Sequence, residues 1–312
     1  MNGYPNNSRI CFIGDSLVAQ NHYLPRIIDF YIRNFPTANI RFFNCGTAGG
    51  TVRFALDSFD DDVALHNPTH AVVAFGVNDS NRWVLENSRG IERYETLKKS
   101  FEAYKKNLEA LCDKIIDAGI ELILCTPAPY DEYARTDSSR LNGGYALLLG
   151  YADFVRELVR RKGINLCDFH AYLSEIMQNE NLYTPDRVHL TEYGYSFMAR
   201  CFLENQGLEY SSSDYCDERF KNWKTAVEDL RDHYAVECMI IRNYTMPIDE
   251  KISLLEDYVE KQRWQTQYFE RISKKYLQNV STKKQLETQI ENIYENEILV
   301  FEKISRNDQS DR

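Results

Sequence analysis

Two stretches of this 312-residue chain carry residue types that could do chemistry together: Gly14-Asp15-Ser16-Leu17 and, far along the chain, Asp186-Arg187-Val188-His189. Ser16 follows Arg9-Ile10-Cys11-Phe12-Ile13, a run rich in strand formers. It precedes apolar residues at helical spacing, namely Tyr23, Ile27, Ile28, Tyr31 and Ile32. A side chain at such a handover is exposed at the carboxyl edge of a sheet, beside backbone donors that lack intrahelical partners. That is a suitable place for a nucleophile, although Gly-Asp-Ser is also an ordinary helix-capping sequence. Asp186 and His189 stand three residues apart just ahead of a helical stretch, close enough for the carboxylate to bond the imidazole.

The elements that must position these residues alternate. Further strands are expected at Asn39 to Phe43, Ala71 to Phe75, Ile120 to Cys125 and Ile164 to Cys167. Helices are expected from about Tyr94 to Ala118, stopped by Gly119, from about Ala146 to Arg161, and from Thr191 to about Leu203. Near-continuous apolar strands separated by helices predict a parallel sheet covered on both faces. Ligands of such sheets bind beyond the carboxyl ends of the strands. Ser16 follows the first strand, Gly49 the second and Asn78 the third, so all three share that edge.

Composition narrows the function classes. A net charge of −10 argues against nucleic acid as a partner, because phosphate binding needs a basic face. No apolar stretch is long enough to span a bilayer. Met1 to Asn7 has neither a charged region nor an apolar one of the kind that directs export. The eight cysteines are scattered without a C-x-x-C pair, which predicts reduced thiols and a cytoplasmic protein. No metal or other cofactor is expected; His66 and His70 have helical spacing, but Pro68 between them argues against a helix.

With four blocks in order, Gly14-Asp15-Ser16-Leu17, Asn44 to Gly49, Gly76-Val77-Asn78-Asp79 and Asp186-Arg187-Val188-His189, the sequence resembles the SGNH hydrolases of the GDSL-like lipase/acylhydrolase class. The resemblance covers about residues 8 to 206, with Val18 where the family usually has a polar residue. It implies a three-layer α/β/α, flavodoxin-like fold with a five-stranded parallel sheet. It marks Ser16, Gly49, Asn78 and His189 as functional, with Asp186 supporting the histidine. A serine hydroxyl needs a base to take its proton. Imidazole, with an unperturbed pKa of roughly 6.5, suits that role near neutrality. Asp186 would hold the ring's tautomer. Ser16 N–H, Gly49 N–H and the Asn78 amide would receive the oxyanion, Gly49 keeping a Cβ out of the substrate's way. The implied reaction is hydrolysis of an ester through an acyl-serine. The subtype looks like bacterial enzymes that remove acetyl groups from carbohydrates, so a small-molecule or oligosaccharide ester is the expected partner. A lysophospholipase or thioesterase acting on longer chains, an acetyltransferase, and a non-enzymatic protein using its tail are the alternatives.

Plainer readings stay open beside these. Asn78 could cap a turn, Asp186 could be a charge at a helix N-terminus, and Gly46 to Gly50 could be only a turn. Asp15, His22 and Tyr130 are further candidates for substrate contact, by position alone.

From about residue 207 the chain becomes charged and helical. Ser211-Ser212-Ser213 reads as a linker, and helices are expected over about 217–242, 247–262 and from Trp264 onward. This gives two regions, 1–206 and a helical appendage at 207–312. Stripes such as Trp264, Tyr268, Ile272 and Tyr276 would pack on the protein's own helices or on a second copy in a homo-oligomer.

Overall fold

Alternation along the first strand sets up two cores. In the computed structural model, which describes residues 3–35, 38, 40–134 and 140–210, β1 (Arg9–Gly14) sends Ile10 and Phe12 to one face and Cys11 and Ile13 to the other. All four are at most 1% exposed, as expected of a strand covered on both sides. β2 (Arg41–Gly46), β3 (His70–Ala74), β4 (Glu121–Cys125) and β5 (Asn165–Cys167) complete a sheet in the order β2-β1-β3-β4-β5, every pairing parallel. Gly14 stands level with Gly46 and with Ala74, so the first three strands end on one rim.

Helices cover the faces. α1 (Ser16–Ala19) and α2 (Leu24–Asn34) link β1 to β2, and α3 (Val52–Asp57) and α4 (Phe59–Asp62) lead toward β3. α5 (Val84–Asn87) and α6 (Gly90–Asp117) connect β3 to β4, and α7 (Gly144–Lys162) connects β4 to β5. α8 (Phe169–Ile176) and α9 (Glu192–Asn205) follow. On one side Leu108, Leu111 and Ile115 of α6, with Val155 and Leu158 of α7, pack on Ile13, Val73 and Leu124. On the other, Ile27 and Tyr31 of α2 and Met198 and Phe202 of α9 pack on Phe12 and Phe42. Each such side chain stabilises the fold by roughly 1.5–3 kcal/mol. The result is the expected three-layer α/β fold.

Three local differences have physical causes. The helix expected after Ser16 is two helices: Asn21, fully buried, takes a left-handed φ of 57°, and Pro25 opens α2, where its missing N–H costs nothing. The second strand runs to Gly46 rather than stopping at Phe43. Asn44 stays in it because its amide donates to Val18 O at 3.0 Å and its Oδ1 accepts from Gly46 N at 2.9 Å. Chain packing also passes the expected boundary at 206. The Tyr31 hydroxyl donates to Gln206 Oε1 at 2.7 Å, and Tyr210, 5% exposed, packs on Phe30 with ring centroids 6.0 Å apart. The linker at Ser211–Ser213, the tail helices and their proposed oligomer contact lie outside the described residues.

Candidate active site

The site grows from the end of β1. Asp15 is the N-cap of α1, its Oδ1 accepting from Leu17 N at 3.0 Å, so the capping reading of this block is correct for Asp15. Ser16 is then the first helical residue, and its N–H has no intrahelical acceptor. α1 sits directly on the rim: a Cβ added at Gly46 would lie 2.4 Å from Ala19 N. The same turn presents the Ser16 hydroxyl, so a cap at Asp15 and a hydroxyl at the rim are compatible.

His189 reaches Ser16 from a closed turn. Tyr183 and Leu190 form an antiparallel bridge, Thr184 N donates to His189 O at 2.8 Å, and Thr191 N donates to Leu182 O at 2.8 Å. Within this turn Asp186 Oδ1 accepts from Thr184 Oγ1 at 2.8 Å, Val188 N at 3.0 Å and His189 N at 2.9 Å. Asp186 Oδ2 stands 2.5 Å from His189 Nδ1, and His189 Nε2 stands 2.8 Å from Ser16 Oγ. Partial burial pushes the Asp186 carboxyl up, but the bonds from His189, Val188 N and Thr184 outweigh it and hold it at about 2. An ionised Asp186 requires the proton on Nδ1, which leaves Nε2 as acceptor for the Ser16 hydroxyl. The arrangement can draw a proton from Ser16 and stabilise the imidazolium that results.

Arg187 holds the turn in place. Its φ of 65° is left-handed, and its buried guanidinium donates from Nη1 to Asp131 O at 3.2 Å and Ala134 O at 2.9 Å. Its own carbonyl accepts from Asp131 N at 3.0 Å. The segment after β4 and the turn bearing Asp186 and His189 are thereby one unit.

The rim supplies the donors. Asn78 lies on the turn after β3, and its Nδ2 donates to Gly50 O at 3.0 Å, which spends one amide hydrogen and leaves a second. Gly49 is exposed in the turn after β2 with a left-handed φ of 72°. Its backbone conformation therefore asks for glycine in addition to the clear approach expected of it. Asp79 was not singled out by its sequence position. Its Oδ1 accepts from Val52 N at 3.0 Å, tying the Asn78 turn to α3.

Two carboxyls sit under this rim, Asp15 buried and Asp79 half-buried. Burial raises Asp79 to about 7, with the Val52 N–H lowering it and Asp15 raising it further. Burial raises Asp15 to about 6, opposed by Leu17 N–H, His189 and Arg82. A carboxyl with a raised pKa binds its proton more tightly when folded, so its contribution is present at low pH and lost as pH rises from about 4 through 7. Asp186, shifted down, works in the opposite direction and only below about pH 4. Asp79→Asn is therefore expected to flatten the fall in thermal midpoint between pH 5 and 8, adding on the order of 2 kcal/mol at pH 8. Thermal unfolding of both proteins across that range checks this, and an unchanged slope would refute it.

Of the three positional candidates for substrate contact, the structure relocates two. Tyr130 is 2% exposed, and its hydroxyl accepts from Leu141 N at 3.0 Å, so it anchors the segment ahead of α7. Asp15 is 2% exposed and occupied by its cap, so it acts from beneath the site. His22 is half-buried, stacks on Tyr195 with centroids 4.8 Å apart, and places Nδ1 2.6 Å from Glu192 Oε1. It braces α9 against the chain after α1. His66 stacks on Phe43 and His70 meets Tyr4 edge to face, both as packing residues.

Comparison with known proteins agrees with this geometry. The model of the GDSL-like Lipase/Acylhydrolase family matches residues 12–197. An acetylxylan esterase of Geobacillus stearothermophilus is 25% identical over 227 residues, covering 67% of this chain and 98% of that protein. Solved structures of that esterase superpose with a TM-score of 0.56 at 21% identity, covering 67% of this chain and 98% of theirs. Its variants described as catalytic mutants replace a serine, an aspartate, and a histidine three positions after the aspartate. A gut microbial diltiazem-metabolizing enzyme superposes with a TM-score of 0.58 at 26% identity over 66% of this chain, which spans about half (48%) of that enzyme's length. With three of its four blocks on one rim, the fourth reaching Ser16 from the turn before α9, and the family match running through all of them, the chain belongs to the GDSL-like lipase/acylhydrolase family and is a carboxylic ester hydrolase.

Proposed function

We propose that the protein removes acetyl or other short acyl groups from a carbohydrate through an acyl-serine on Ser16. The observation that carries the mechanism is the unbroken line Asp186–His189–Ser16, at 2.5 and 2.8 Å. His189 takes the hydroxyl proton as Ser16 Oγ attacks the ester carbonyl, and later gives it to the leaving alcohol. The oxyanion is received by the N–H groups of Ser16 and Gly49 and by the free hydrogen of the Asn78 amide. Water activated by the same histidine then releases the acid and restores Ser16.

The similarity to an acetylxylan esterase supports acetyl as the acyl group and a sugar as the alcohol. Six buried cysteines without a disulfide support a reducing, cytoplasmic setting, and the relative from Geobacillus supports a bacterial one. Among the described residues no helix is long and apolar enough to cross a membrane.

Chain-length dependence is the test. Hydrolysis of p-nitrophenyl acetate, butyrate and octanoate is measured with the wild type, using Ser16→Ala as the blank. The expected result is kcat/KM highest on acetate and falling with chain length. A rate that climbs toward octanoate would reverse the short-acyl reading in favour of a lipid ester.

A further inference from the structure

Beside the turn that carries Asp186 and His189 lies a cavity of about 720 Å³, within the roughly 300–1,000 Å³ typical of small-molecule sites. One wall is the segment after β4, the other the chain from the end of α8 to Pro185. Thr184 belongs to this lining and donates to Asp186 Oδ1 at 2.8 Å. Only three hydrogen bonds, Thr184 to Asp186 to His189 to Ser16, therefore separate the cavity from the nucleophile. Arg187 fastens the first wall to the catalytic turn through the carbonyls of Asp131 and Ala134.

The lining selects a class of ligand. Among the described residues that line it there is no Lys, Arg or His, while Asp131 and Glu180 disfavour a phosphate or carboxylate. Its apolar surface comes from Ala134, Met177 and Pro185 and from the rings of Tyr133 and Tyr183. The remainder suits a neutral, many-hydroxyl molecule. Gln178, Asn179 and Asn181 carry amides that both donate and accept, while Asp131 and Glu180 accept from hydroxyls. Tyr133 is 71% exposed, and Arg140 stands 5.4 Å from its ring centroid, which leaves a ring face for the C–H side of a pyranose. Tyr183 also lines the cavity. It is 3% exposed, and its hydroxyl has no hydrogen-bond partner among the described residues. Buried hydroxyls are rarely left so, and this one marks a place where the wall is incompletely bonded.

We propose that this cavity, lined by Tyr133, Asn181 and Tyr183, is a glycan subsite that holds sugar rings adjoining the acetylated residue of an oligosaccharide. The proposal rests on the acetyl-carbohydrate reading and extends it to the length of the alcohol. Binding there anchors the ester over Ser16 from the side of Asp186, so the enzyme distinguishes an oligosaccharide from a single sugar.

The test compares kcat/KM on p-nitrophenyl acetate, monoacetylated xylose and monoacetylated xylotetraose for the wild type, Tyr133→Ala, Tyr133→Phe and Asn181→Ala. Both altered side chains are exposed, so folding is preserved, which thermal midpoints verify. The expected result is a wild-type preference of about tenfold or more for the tetraose over the single sugar, expressed in KM. Tyr133→Ala and Asn181→Ala abolish most of that preference, and Tyr133→Phe keeps it. Equal wild-type rates on acetylated xylose and xylotetraose, or a preference that survives both alanine substitutions, would overturn the subsite. Hydrolysis of the aryl acetate with no turnover of either sugar ester would instead overturn the carbohydrate reading, and the subsite with it.

Discussion

Ser16→Ala is expected to lower kcat on p-nitrophenyl acetate by about 10⁶, leaving a trace rate from binding and the oxyanion donors. The hydroxyl has one recorded partner, His189 Nε2 at 2.8 Å, and sits at the start of a four-residue helix that Asp15 caps independently. Its removal therefore takes away the attacking atom without disturbing the elements that place it. His189→Ala is expected to cost nearly as much, and the double variant no more than either single, because nucleophile and base act as a unit. The check is kcat for all three on one substrate, with thermal midpoints on the same preparations. A double variant slower by the product of the two single losses would mean that Ser16 and His189 act separately, and the shared proton transfer would be wrong.

Asn78→Ala has the next largest expected effect, a fall in kcat of about 10²–10³ with KM little altered, as for one donor that matters mainly in the transition state. One amide hydrogen is already committed to Gly50 O, and that bond aims the other. Losing it should cost about 0.5–1.5 kcal/mol of stability, the net worth of a single hydrogen bond. The two effects separate the oxyanion role from the turn-capping one. A variant less stable by that amount but with wild-type kcat would reduce Asn78 to a tether between the second and third rim turns.

Most of the rim was legible because strands of a parallel sheet end together. Once Ile13, Phe43 and Phe75 are read as strand ends, Ser16, Gly49 and Asn78 fall on one edge with no knowledge of any contact, and the observed ends at Gly14, Gly46 and Ala74 leave them there. The Asp186–His189 pair was legible for a local reason, since three residues of chain can close on themselves in a tight turn. What was hidden is whatever depends on side chains meeting across long separations. Arg187 looks interchangeable between its neighbours, yet its carbonyl acceptors lie 53 and 56 residues away. Asp79 reads as one more turn residue until its bond to Val52 N is seen. Tyr130 failed for the complementary reason: Pro127 and Pro129 just before it argue for a loop, but loop membership does not forbid a ring from turning inward, as this one does toward Leu141.

The hydrogen bond between His189 and Ser16 joins residues 173 apart in the chain. Synthesis runs from the nucleophile toward the base, at roughly 5–20 residues per second, so on the order of ten to thirty seconds pass between their emergence. Over that interval the growing polypeptide owns a strand, a capped turn and a serine, but nothing to deprotonate it. The interior place of β1 between β2 and β3 sharpens the delay, since β3 and the turn holding Asp186 must both arrive before the serine has its surroundings. Ester turnover is thus a late event in the life of each molecule, and it doubles as a gauge of completed topology.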